Sequence, residues 1–193
     1  MNPKSLLGGV RLVLLQELLI SSVWSKELHP EVTTVQVSLL NDAQVSPTLI
    51  SEREKVATRV FARAGVNLEW LRCGLRSMTD KERASCTESV FPTRLHLRLI
   101  SHPIHPEGIA LGVTYLAEDG VGFQADIFCD RGARLQEESP VDLAILLGIV
   151  MAHELGHRLL GTSSHSPAGI MRASWHPKHV QSTASLCLQP RLC

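Results

Sequence analysis

Two histidines four positions apart stand in the run His153-Glu154-Leu155-Gly156-His157. On a helix, that spacing puts both imidazoles on one face, where they can converge on a single metal ion. Glu154 lies one step round the helix, within reach of a water on that ion rather than of the ion itself. The implied chemistry is hydrolytic. Zinc lowers the pKa of a coordinated water, and the Glu154 carboxylate takes its proton and can return one to a leaving amine. The bland alternative is a helix carrying two unrelated histidines and an exposed glutamate.

A catalytic zinc needs a third protein ligand and an open position. From Leu155 to Cys193 the chain contains no Asp or Glu, so a downstream carboxylate ligand is excluded. The candidates are His165, His176 and His179, with cysteines behind them. His165 is nearest, just past Gly161, a residue suited to ending the helix and swinging the chain back under the metal. His102 and His105 fall in a Pro-rich loop and read as solvated rather than as a second metal site.

The elements that must position these residues are legible as patterns. Val32 to Leu40 alternates apolar and polar residues, as a half-buried strand does. Ser46-Pro47 opens a helix reaching Ala64, with Ser51 and Glu54 offering a second capping-box start and Gly65 a stop. Val66 to Leu71 reads as a second strand, and Arg72 to Val90 as a charged loop. Thr93 to Ile100 alternates again, with Leu95, Leu97 and Leu99 inward. Ala110 to Leu116 and Val121 to Phe128 flank Glu118-Asp119-Gly120, a hairpin turn signal. Ser139-Pro140-Val141-Asp142 then combines an N-cap, a proline at the first helical position and a capping acid, predicting a helix to about Leu160. That helix is apolar all round from Leu143 to Ala152, which places it in a domain interior. Before His153 it is too short to span a bilayer.

At 193 residues the chain fits one domain able to bury its own core. Lys plus Arg and Asp plus Glu balance at 19 each, so no global field favours nucleic acid, and aromatics are too sparse for a base-stacking surface. Lys4 followed by the apolar stretch Leu6 to Val23 reads as a signal peptide over residues 1–25, leaving 26–193 as one catalytic domain that is secreted or periplasmic. Arg11, Gln16 and Glu17 interrupt the stretch, so an amphipathic helix of a cytoplasmic protein stays open. No stable membrane span and a monomer are expected. Five cysteines without a Cys-x-x-Cys pair suit an oxidising compartment. Cys73 and Cys86 flank a polar loop and are expected to pair, a closure that stabilises by about 3 kcal/mol.

His153 to Met171, read as HELGHRLLGTSSHSPAGIM, resembles the metzincin zinc peptidases, whose pattern is His-Glu-x-x-His-x-x-Gly-x-x-His followed by a methionine turn. It is similar also to exported bacterial proteins with the same His-Ser-Pro-x-Gly-Ile-Met run. The glycine stands at Gly161 instead of position 160, and the third histidine at His165 instead of 163. Gly169-Ile170-Met171 looks like the Met-turn, and the shorter stretch after His165 compensates the insertion before it. The resemblance implies an α/β (α+β) fold: a mixed sheet of about five strands, a backing helix, a buried active-site helix and a small irregular C-terminal part. It also implies one catalytic Zn2+ on His153, His157 and His165, Met171 as support, and a peptide or protein substrate paired with an edge strand, Val121 to Phe128 or its hairpin partner. Some metzincins place a tyrosine just after that methionine. Here Arg172-Ala173-Ser174 follow, so Tyr115 takes no such role and Trp175 reads as a core aromatic. A zinc-stabilised binding domain without turnover is the competing reading, and a metal-free helix the third.

Overall fold

In a computed structural model, the protein is described over residues 33–74, 78–87, 94–103, 108–138, 140–174 and 179–180. The expectations for residues 1–25, His105, Trp175, His176, Cys187 and Cys193 lie outside these.

Alternation builds the sheet. In β1 (Thr33–Asn41), Val35, Val37 and Leu39 are buried on one face, and β3 (Arg94–Ile100) repeats this with Leu95, Leu97 and Leu99. β1 lies between β2 (Val66–Cys73) and β3, parallel to both, and β3 pairs parallel with β5 (Gly122–Phe128). β4 (Gly112–Leu116) runs antiparallel on β5 and forms an edge, giving the order β2-β1-β3-β5-β4. The Asp119-Gly120 turn joins β4 to β5 as the sequence predicts, with Gly120 at φ 79°. The outward residues of β3 are not simply solvated. Arg98 makes a two-pronged pair with the fully buried Asp126 on β5, at 3.0 and 2.7 Å.

Helices α1 (Pro47–Ala62) and α4 (Leu143–Leu160) cover the leucine-rich face of the sheet. Ser46 caps α1 by accepting from the Leu49 N–H, and Pro47 follows it. The second start at Ser51 is not used: its hydroxyl donates to the Pro47 carbonyl within the helix. The helix ends at Ala62, short of the expected Ala64, and Gly65 at φ 73° turns the chain into β2. The charged stretch read as loop contains a helix, α2 (Asp80–Thr87), and the Cys73–Cys86 disulfide ties it to the end of β2. The predicted cap of α4 also moves. Asp142, not Ser139, is the N-cap, because its carboxylate accepts from the Ile145 N–H and Pro140 therefore precedes the helix. A polar helix, α3 (Cys129–Glu138), occupies the stretch before it.

Leu146, Leu147, Ile149, Met151 and Leu155 make α4 the centre of the core. Each such side chain contributes about 1.5–3 kcal/mol by leaving water. Among the described residues α4 alone has the length and composition to cross a membrane, and it is mostly buried in the domain. Gly161, at φ 61°, ends it in the left-handed conformation. Arg158, wholly buried, donates to the Gly122 and His96 carbonyls and so ties the C-terminal end of α4 to two strands. Burial pushes its guanidinium down to about 10.

Gly148 is where α4 meets α1. A Cβ there would sit 2.6 Å from the Val56 Cβ and 2.8 Å from the Arg53 carbonyl oxygen. Gly148→Ala is therefore expected to cost about 1–3 kcal/mol despite its better helix propensity. Urea unfolding checks this as a lower midpoint at unchanged slope; an equal or higher midpoint would contradict the packing.

Candidate functional site

Helix α4 presents His153 and His157 on one face, both buried. Their outer ring nitrogens are committed to the backbone of the loop that follows. His153 Nδ1 donates to the Ile170 carbonyl at 2.8 Å and His157 Nδ1 to the Thr162 carbonyl at 2.7 Å. A carbonyl can only accept, so the proton of each neutral ring is on Nδ1 and both Nε2 atoms carry a lone pair. Those two Nε2 atoms are 3.0 Å apart, and His157 Nε2 is 3.3 Å from His165 Nε2. Lone pairs this close repel unless a cation lies between them. A tetrahedral centre with Zn–N near 2.0–2.1 Å separates its nitrogens by about 3.3 Å. Burial lowers the pKa of both His153 and His157, which keeps the rings neutral as ligation requires.

Residues 161–172 carry His165 to this point. Ser166 N–H donates to the Met171 carbonyl at 2.7 Å, closing a turn in which Gly169 stands at φ 76°. The short run after His165 is taken up within that turn. Met171 lies directly under the helix. A Cβ on Gly156 would be 2.6 Å from the Met171 sulfur, so the helix face between the two histidines must be bare. His179 does not join the cluster; among the described residues, His153, His157 and His165 form the one group able to share an ion. His102 instead pairs with Asp130 at 2.6 Å on an exposed loop.

Glu154 is buried against the edge strand. Thr114 Oγ1 lies 2.6 Å from Glu154 Oε2 and 2.9 Å from the Glu154 carbonyl oxygen. One hydroxyl thus serves two states: it donates to an ionised carboxylate, or accepts from a protonated one while donating to the carbonyl. Gly112 leaves room for this, because a Cβ there would stand 2.8 Å from Glu154 Cγ. Burial pushes the Glu154 carboxyl up to about 7, with the Thr114 hydrogen bond opposing. Sequence reasoning missed Thr114 and Gly112. A glycine inside a strand was the available signal, since it marks close approach by another group. Tyr115 points to the other sheet face, toward Asp126.

His153, His157, His165, Glu154 and Thr114 all open on a cleft of about 750 Å³ between β4, α4 and α3. Of the two strands expected as the substrate edge, β5 is interior, so the available edge is its hairpin partner β4.

The sequence matches no protein-family model, and comparison with the curated proteins finds no match. Among solved structures the chain is similar to an archaemetzincin from Methanopyrus kandleri, with a TM-score of 0.47 and 17% identity over 83% of this chain and 97% of that one.

A buried carboxyl raised from 4.5 to about 7 is a stability statement about the metal-free protein. Its contribution is fully present below about pH 4.5 and is lost as pH rises through 7, to a total of about 3 kcal/mol. In chelator-treated protein, Glu154→Gln should accordingly be stabilising relative to wild type by an amount that grows between pH 5 and 8. Histidine effects are common to both proteins and cancel. A difference independent of pH would show that the carboxylate is solvated.

Proposed function

We propose that the protein is a zinc-dependent peptidase in which His153, His157 and His165 hold one Zn2+ and Glu154 is the general base. The observation that carries this reading is the convergence of lone-pair nitrogens at 3.0 and 3.3 Å, with the other ring nitrogens of His153 and His157 tied to carbonyls. The residues fit the ion: three neutral imidazoles are a catalytic donor set, and the carbonyls fix their tautomer and orientation. When bound, zinc polarises a substrate carbonyl and makes water acidic near neutrality.

The chain's own groups do the rest. Glu154 takes the proton of the attacking water and passes it to the departing amine. Thr114 hydrogen-bonds the carboxyl in both states, so its orientation survives the transfer. β4, an edge strand among the described residues, offers main-chain hydrogen bonds to an extended peptide, and the cleft holds the side chains. A zinc-stabilised binding domain would close the fourth position with another ligand. The cleft lined by all three histidines and Glu154 supports an open one. The Cys73–Cys86 disulfide supports a secreted or periplasmic site of action.

Zinc-loaded Glu154→Gln is expected to retain its metal and lose about 10²–10⁴-fold in kcat/KM on quenched-fluorescence peptides. Full activity in that variant would sink the mechanism.

A further inference from the structure

The cleft extends past the histidines to a wall supplied by α3. Arg131, Arg134, Leu135 and Glu138 of that helix line it, at the three- and four-residue spacing of a single helical face. The other face is fixed: a Cβ on Gly132 would stand 2.8 Å from Leu147 and 3.1 Å from Leu143, both on α4. The orientation of α3, and hence which side chains meet the cleft, is set by packing.

The two guanidiniums differ in freedom. Arg131 Nη1 donates to the Ala110 carbonyl at 2.7 Å and its Cζ lies 5.2 Å over the Phe128 ring, so its charge is held at the rim. Arg134, one turn on, makes no hydrogen bond or ion pair among the described residues. Glu138 stands four residues further along and forms no ion pair with Arg134. Leu111 on the strand side and Val150 on α4 add apolar lining to the same cleft. With two guanidiniums, one anchored and one unpaired, against the single Glu138 carboxylate, the charge of this partly apolar recess is net positive, which suits a side chain with an aliphatic stem and an anionic end.

We infer that the recess between α3 and β4 selects peptides bearing a glutamate or aspartate side chain, and that Arg134 is the specificity-determining residue. The inference rests on the peptidase reading for its placement beside a scissile bond, but the charge selection does not depend on turnover. A chain-terminal carboxylate is the other source of the same chemistry, and peptides capped at both ends remove it.

Two measurements keep the inference separable from the peptidase reading. In the first, capped peptides carry Glu, Gln or Lys in turn at each of the positions flanking the cleaved bond. One position should favour Glu over Gln by about tenfold in kcat/KM, between the exposed and buried limits for an ion pair, with Lys worst. The preference should shrink in high salt. Arg134→Gln should flatten it and Arg134→Glu should invert it towards Lys at that position alone. In the second, fluorescence anisotropy reads binding of the same peptides to zinc-loaded Glu154→Gln, with and without Arg134→Glu. Acid-selective binding that Arg134→Glu reverses, together with no cleavage of any peptide by the zinc-loaded wild-type protein, would retain the recess and overturn the peptidase. Cleavage with no acid preference at any position, or a preference unmoved by Arg134→Glu, would overturn the recess. So would the absence of both cleavage and binding.

Discussion

Two backbone carbonyls, those of Thr162 and Ile170, determine what the histidines of α4 can do. By accepting the Nδ1 protons of His157 and His153, they leave the facing Nε2 atoms as acceptors only, 3.0 Å apart. Without a cation that contact is repulsive; with one it is two corners of a coordination sphere. The rest of the site follows from the need to bring those carbonyls up to the helix. The chain must reverse after Gly161, deliver His165 on the way, and return to place Ile170 and Met171 beneath the helix face.

Burying so many polar groups on one helix requires close approach around them, and glycine supplies it. Gly156 admits the Met171 sulfur between the histidines, Gly112 admits Glu154 to the edge strand, and Gly148 lets α4 lie on α1. A helix loses about 1 kcal/mol for each interior glycine. The leucines and isoleucines of α4 offset that many times over and hold it rigidly enough to fix ring positions. Rigidity at the helix thus becomes preorganisation at the site.

Much of this could be read from residue order. The two-residue period of β1 and β3, the glycine stop at Gly161, the Cys73–Cys86 pairing and the mixed α/β fold with its five-stranded sheet all follow from patterns the chain displays. The helices α2 and α3 were not legible, because each rests on few apolar contacts. α2 is held by a disulfide to β2, and α3 by the close approach of Gly132 to α4, with Leu135 only partly buried against the core. The cap at Asp142 was hidden by the adjacent Ser139-Pro140, an equally good local start that only hydrogen bonding decides against. Thr114 could not be found, since its role depends on an edge strand meeting a helix 40 residues away in sequence.

The central claim is that three imidazoles, and no sulfur or carboxylate, hold the metal. X-ray absorption at the zinc edge of protein loaded with one equivalent of zinc tests it most directly. The expected spectrum has three nitrogen scatterers at about 2.0–2.1 Å with the multiple-scattering pattern of imidazole, and one oxygen completing the sphere. A sulfur shell near 2.3 Å, or fewer than three imidazoles, would contradict the site described for His153, His157 and His165.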